Sequence, residues 1–273
     1  MKSLLAFTKK EFMAHLRSGK IFILGGVFLL LGFLSPATAK ITPWILEMMS
    51  ESMAESGMNI TITTTTALDS WLQFYKNLPI GIIVFLILEG GIFTKEYRSG
   101  TLVLTLTKGL ERYKVVIAKS VMLTVIWSIG YWMCFGITYG LTEYLWDNSI
   151  ASYVGFSAFC TWLFGFFLIT LIVFFSTIAK SGAIVLVGCG GVVIVSYLIS
   201  IIPKVSKYLP ILLSDCTQLI YGLGEIKDYV SALIVTAVIS ILCFAISIPI
   251  FNKKEISHKD SLPSVGRNAS CLG

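Results

Sequence analysis

Six apolar stretches, each long enough to cross a lipid bilayer, determine what this chain can fold into. They lie at about residues 21–39, 71–93, 115–142, 152–179, 182–203 and 229–251. A helix needs roughly 20 apolar residues to cross the hydrocarbon core of a membrane. Hydrophobic residues make up 56% of the chain and the mean hydropathy is +0.85, outside the range of ordinary soluble domains. The sequence therefore predicts an all-α integral membrane protein in which residues 1–252 form one domain of six transmembrane helices.

The inventory of reactive groups argues against an enzyme. The chain has no GxxxxGK[ST] phosphate loop and no HExxH motif, and its two histidines, His15 and His258, lie outside the predicted spans. A hydrolase acting inside the membrane would need several histidines or carboxylates at membrane depth. The loops are also too short for a separate soluble domain of about 100 residues or more. We therefore predict no catalytic residue, no metal site and no cofactor in this chain.

The basic residues predict the orientation. Sixteen of the 21 Lys and Arg residues fall on one side of the predicted membrane, in the N-terminal segment, the loop after the second span, the turn at Lys180 and the C-terminal tail. Positive charge is retained on the cytoplasmic side, so both termini are expected there, in a multi-pass protein of the cell membrane. The net charge of +6 is then a signal for topology and for lipid headgroups rather than for nucleic acid.

The N-terminal segment has the pattern of a helix that lies along the membrane surface. Residues 2–18 place Leu5, Phe12 and Leu16 on one helical face, with most of the charged side chains elsewhere. Gly19 offers a break, so the segment can form an elbow before the first span. A simpler interpretation is an anchor that only fixes the topology. At the other end of the chain, the composition of residues 253–273 predicts a disordered cytoplasmic tail.

The loop after the second span carries the most specific pattern. An acidic residue, a Gly-Thr pair, an apolar run, an Arg and, seven residues later, a Lys occur in order as Glu96, Gly100-Thr101, residues 102–106, Arg112 and Lys119. Near the N-terminus, Lys10-Glu11-Phe12 is followed by Arg17-Ser18-Gly19-Lys20. These motifs, in these places of a six-span topology, resemble the permease subunits of type-2 ABC (ABC-2) transporters, which include copper-maturation and sodium- or drug-efflux permeases. The chain departs from the pattern at Gly109, where relatives often have Pro.

The resemblance implies a function and a set of partners. It implies the permease of an ATP-driven exporter, working with two separate ATPase subunits that bind ATP and Mg, and with a second permease copy or a homologous permease. Residues 96–106 would form a coupling helix on the cytoplasmic surface, where they would contact the ATPase. The implied coupling residues are Glu96, Tyr97, Arg98, Gly100, Thr101 and Arg112, and those of the elbow helix are Lys10, Glu11 and Arg17. An ordinary solvated loop is the simpler interpretation of the same segment.

Glu89 is the acidic residue predicted to lie below the lipid headgroups. Ionisable groups at that depth are costly and are often functional. Glu89 could instead extend to the interface and pair with Lys95 or Arg98, two turns further along. A proton relay would call for a second buried carboxylate or a His, and the sequence shows no evident one.

Two further questions stay open at the level of sequence. Gly136 and Gly140 form a GxxxG pair that would let helices approach closely, either within one chain or between two copies. The function has an alternative as well, a membrane sensor or immunity protein that transports nothing and binds a peptide at its outer loops. The sequence does not identify the substrate that a permease of this kind would transport.

Overall fold

The protein is helical throughout the part that the computed structural model describes, which is residues 2–54, 64–102, 107 and 111–253. The α-helices in these ranges are α1 (Lys2–Arg17), α2 (Lys20–Ala54), α3 (Ala67–Glu89), α4 (Thr94–Ser99), α5 (Arg112–Trp146), α6 (Val154–Ile178), α7 (Gly182–Ser200), α8 (Pro203–Ser206), α9 (Thr217–Ile220) and α10 (Ile226–Lys253). Short 3₁₀ turns follow α5 at Asn148–Ile150 and α8 at Pro210–Ser214. Six of these helices, α2, α3, α5, α6, α7 and α10, are long and apolar enough to span a membrane. The predicted all-α class with six spans is confirmed.

The first spanning helix is longer than its apolar run. It continues from Lys20 to Ala54 through Pro36 and Pro43, and its 35 residues correspond to about 52 Å at 1.5 Å per residue. The Ser35, Thr38 and Thr42 hydroxyls donate hydrogen bonds to carbonyls one turn earlier, at 2.6–2.9 Å. Proline cannot donate to the carbonyl four residues before it, and for Pro36 that carbonyl, of Gly32, accepts a hydrogen bond from the Thr138 hydroxyl of α5 at 3.1 Å instead. Because a hydrocarbon core is about 30 Å thick, one end of α2 extends well beyond it.

The spans are held together by aromatic packing around α5. The Trp127 ring stacks on Tyr131, with centroids 5.4 Å apart, and meets Phe28 of α2 and Phe85 of α3 edge to face. Its indole N–H donates to the carbonyl of Trp162 in α6 at 3.1 Å. α6 is the most buried of the six spans and α7 the least. A single aromatic group thus joins four of the spans.

Polar side chains complete the contacts between helices. The Trp71 indole donates to the Asn148 side chain at 2.9 Å, and the hydroxyls of Ser70 and Thr142 lie 2.7 Å apart. Bonds of this kind between spans are each worth about 0.6 kcal/mol on average in a membrane. They fix the register of α3 against the end of α5.

Glycines with positive φ separate the first helix from the membrane domain and end α4. Gly19, at φ +75°, lies between α1 and α2, as expected for an elbow. Gly100, at φ +67°, ends α4 at Ser99. The prediction of one helix over residues 96–106 is therefore wrong, because a left-handed residue interrupts the helical path there and glycine adopts this conformation without strain. Residues 103–106 and Gly109 lie outside the described residues, as does the tail from residue 254. We refer to the end of the bundle that carries α1 and α4 as the elbow end.

The glycines of the spans are not equivalent. A Cβ atom at Gly165 would lie 2.0 Å from the Trp127 ring, whereas one at Gly136 or Gly140 would meet no described atom within 4 Å. Gly136 and Gly140 therefore do not pack helices closely within the described part of this chain.

This difference predicts the effect of adding a methyl group. Gly165→Ala forces the Trp127 ring out of its stack and destabilises the protein by about 1–3 kcal/mol, the usual cost of overpacking. Gly136→Ala is the matched control and leaves stability nearly unchanged. Unfolding of both variants in detergent, followed by circular dichroism, measures the difference. Equal stability of the two variants would contradict the packing described for α5 and α6.

Candidate functional site

Six ionisable side chains from five helices meet at the elbow end, and we call them the elbow cluster. They are Glu11 and His15 of α1, Lys20 of α2, Glu89 of α3, Glu96 of α4 and Lys119 of α5. α1 is far in sequence from α3, α4 and α5 and meets them because it folds back from Gly19 to pack on α5. The cluster is therefore a product of the tertiary fold.

Lys119 is the centre of one half of the cluster. Its side chain is 1% exposed, and its Nζ lies 2.7 Å from Glu11 Oε2 and 3.0 Å from Glu96 Oε1. The same ammonium lies 5.6 Å from the centre of the Phe93 ring. A buried ammonium is costly unless it is paired and hydrogen-bonded, and two carboxylates and an aromatic face meet this need. Lys119 thereby joins the elbow helix and α4 to α5.

Glu89 is the centre of the other half. Its side chain is completely buried, and Oε2 lies 2.7 Å from His15 Nε2 and 3.5 Å from Lys20 Nζ. Lys20 Nζ also donates to the Leu88 carbonyl at 2.5 Å. The second carboxylate oxygen, Oε1, has no hydrogen-bond partner among the described residues. Glu89 joins the elbow helix to α3 and to the beginning of α2.

These contacts correct the expectation for Glu89. Among the described side chains it bonds to His15 and Lys20, rather than to Lys95. The expectation that no His accompanies it is also wrong, because His15 is buried and lies within hydrogen-bond distance. The sequence carried a usable signal, since His15 follows Glu11 by four residues and residues at this spacing share a helical face.

The charges of the elbow cluster nearly balance. Three carboxylates face two ammonium groups and one imidazole. Within the described residues, no group of three or more His, Cys, Asp or Glu side chains is arranged to hold a metal ion. The chemistry available here is ion pairing and proton exchange.

The remaining predicted residues lie around this cluster. Lys10 is exposed, with its ammonium 3.8 Å from Glu11 Oε1, and Arg17 is exposed at the end of α1. Gly100 ends α4, and the Thr101 hydroxyl lies 2.8 Å from that of Ser99. The side chains of Tyr97 and Arg98 lie outside the described part of the structure.

Arg112 connects the loop to the last span. Its guanidinium donates to the carbonyl of Asn252 at 3.1 Å and to that of Phe251 at 3.5 Å. Both carbonyls belong to the last turn of α10, where backbone acceptors have no partner within the helix. Arg112 thus ties the beginning of α5 to the end of α10.

The burial of Lys119 predicts a large effect of its removal. Lys119→Met leaves two carboxylates without their cation and destabilises the protein by about 3–5 kcal/mol, as found for broken buried ion pairs. Adding Glu11→Gln to this variant restores part of the loss, because one orphaned charge disappears. Lys114→Met is the control, since Lys114 pairs with the exposed Glu111 and its loss changes stability little. Detergent unfolding of the three variants is the measurement, and a Lys119→Met variant as stable as wild type would rule out this role for Lys119.

Comparisons with known proteins give the family. The family described as ABC-2 family transporter protein matches residues 5–256. The chain is similar to the uncharacterized transmembrane protein YxlG of Bacillus subtilis (strain 168), with 24% identity over 254 residues that cover 90% of this chain and 95% of the relative. The family match extends across all six spans and the elbow cluster. The chain therefore belongs to the ABC-2 transporter family and is a membrane component of a transporter.

Proposed function

We propose that this chain is the membrane-spanning permease of an ATP-driven exporter. Two separate ATPase subunits, which bind ATP and Mg, dock at the elbow end, and a second permease, identical or homologous, completes the transport path. The observation that carries the proposal is the buried Lys119, which bonds to both the elbow helix and α4. The elbow end is cytoplasmic in this proposal, as the distribution of basic residues predicts.

The segment around α4 has two faces that suit a coupling element. Phe93, Thr94 and Leu102 are each at most 2% exposed and anchor the segment in the core. Lys95, Ser99 and Thr101 are exposed on the other side and offer polar groups to a soluble partner. A segment anchored on one side and polar on the other suits the transfer of a push from a motor to the spans.

The elbow cluster provides the route for this movement. A displacement of α4 acts through Glu96 on Lys119, and so on α5 and on Glu11 of the elbow helix. From α1 it continues through His15 to Glu89 in α3 and Lys20 in α2. Buried ion pairs favour a few discrete arrangements over continuous deformation, which suits alternation between two states of the transport path. ATP binding and hydrolysis would select between these states.

The first test is recruitment of a motor. The chain, purified gently from its native membrane, is expected to carry an ATPase subunit with it and to show ATP turnover that the isolated chain lacks. Mass spectrometry of the purified complex and an ATPase assay measure both. If the chain comes out alone, or hydrolyses ATP by itself, the proposal fails.

The second test addresses coupling within the complex. Glu96→Gln removes the charge that links α4 to Lys119, and we expect the ATP turnover of the reconstituted complex to fall about tenfold, the kinetic equivalent of 1.4 kcal/mol. Glu111→Gln is the matched control, an exposed carboxylate in the same loop whose partner is Lys114. A sensor that transports nothing would keep its activity in both variants. Equal turnover in the two variants would contradict a coupling role for Glu96.

A further inference from the structure

A cavity of about 320 Å³, lined by both polar and apolar side chains, lies at the end of the bundle away from the elbow cluster. α7 begins at Gly182, where an added Cβ would lie 3.1 Å from Gly91 at the elbow end, and reaches the cavity at Tyr197 and Ser200. Besides the apolar Ile211 and Leu212, the cavity is lined by Tyr197, Ser200, Ser206, Ser214, Asp215, Thr217, Gln218 and Tyr229. We call it the acceptor cavity, because its serine and threonine hydroxyls can offer a ligand only hydrogen-bond acceptors.

The serine and threonine hydroxyls of the cavity already donate hydrogen bonds to other groups of the protein. Ser200 donates to the Tyr197 carbonyl at 2.6 Å, Ser206 to the Pro203 carbonyl at 3.1 Å, and Ser214 to the Ile211 carbonyl at 2.6 Å. The Thr217 hydroxyl donates to Asp215 Oδ1. A hydroxyl has one proton and two lone pairs, so these four groups can offer a ligand only acceptor positions.

The charge of the cavity points the same way. Asp215 is exposed, and among the described residues that line the cavity it is the one with a charged side chain. The backbone N–H of Thr217 bonds to its Oδ1 at 2.9 Å and fixes its direction. The nearby lysines, Lys204, Lys207 and Lys227, do not line the cavity. Lys207 Nζ lies 5.2 Å from the centre of the Tyr208 ring, and Lys227 Nζ lies 3.9 Å from Glu225 Oε2. The described lining of the cavity thus contains a carboxylate and no Lys or Arg side chain to neutralise it.

Two aromatic rings add affinity for an organic cation. Tyr197 and Tyr229 both line the cavity, and the faces of such rings attract ammonium and guanidinium groups. Their hydroxyls and the Gln218 amide can donate or accept and adapt to the ligand. The volume of the cavity is about ten times the volume that one water molecule occupies in liquid water. A ligand larger than a bare ion therefore fits.

We infer that the acceptor cavity binds a cationic ligand through N–H groups, an amine or guanidine whose charge meets Asp215 and whose protons meet the serine and threonine oxygens. The inference that the cavity binds such a ligand rests on this geometry alone. That the ligand is the cargo, met on the outer side of the membrane, rests on the proposed function.

Binding by the full chain, reconstituted alone in lipid nanodiscs, tests the inference. Nα-acetyl-arginine amide is the probe, and Nα-acetyl-citrulline amide, nearly the same shape without any positive charge, is its control. We expect the arginine compound to bind, measured by equilibrium dialysis, and the citrulline compound to bind at least about tenfold more weakly, because a hydrogen bond to a charged group is worth about 1.5–3 kcal/mol. Asp215→Asn keeps the acceptor for the Thr217 N–H and weakens binding by a similar factor.

Asp228→Asn removes a carboxylate that caps α10 outside the cavity, through its bond to the Glu225 N–H, and leaves binding unchanged. Should Asp215→Asn fail to fold, Tyr197→Ala, at a side chain 64% exposed, weakens binding severalfold. Equal binding of the two amides, equal binding by Asp215→Asn, no binding by wild type, or displacement of the probe by Na⁺ or Ca²⁺ alone would each overturn the inference. No ATPase is present in this assay, so failure to recruit a motor leaves its result unaffected.

Discussion

The burial of one ammonium group determines how the elbow end is built. Lys119 lies in a span, 1% exposed, and an ammonium at such a place is stable only with counter-charges close by. The carboxylates that meet it come from α1 and α4, two segments that lie beside the bundle rather than within it. Neither segment crosses the membrane, so neither is held by the apolar match that positions the spans. The ion pairs of Lys119 thus hold both segments against α5, and movement of one segment changes the electrostatic environment of the other.

The second half of the elbow cluster is less completely satisfied than the first. Glu89 has one oxygen shared by His15 and Lys20 and one oxygen without a described partner, although its side chain has no exposed surface. A buried carboxylate oxygen without a donor is destabilising. The contact between the elbow helix and α3 is therefore the more easily altered of the two, while Lys119 keeps α1 attached to α5.

Sequence patterns predict the spans but not the contacts between them. Uninterrupted apolar runs indicate six membrane helices because length and composition suffice for that conclusion, and Gly19 is readable as the break after α1. The pairing of Glu11 with Lys119 joins residues 108 positions apart, which depends on how α1 returns to the bundle and is invisible to any local pattern. Proximity in sequence points to Lys95 and Arg98 as partners of Glu89, whereas the partners in the structure are supplied by α1 and α2. No local pattern reveals the break at Gly100, because the apolar residues after it continue a helical pattern while the φ of Gly100 is set by the turn.

The two ends of the bundle use polar groups in opposite ways. At the elbow end the carboxylates and cations satisfy one another, so the cluster has little unpaired charge to offer a diffusing ligand and serves to connect helices. At the other end the helices are joined by neutral bonds such as Trp71 to Asn148, and the hydroxyls around Asp215 turn their protons toward the backbone. This arrangement leaves a carboxylate and several lone pairs facing a cavity. Mechanical connection at one end and spare acceptor capacity at the other follow from the same rule, that each hydrogen-bond donor takes the nearest acceptor, applied to segments with different amounts of charge.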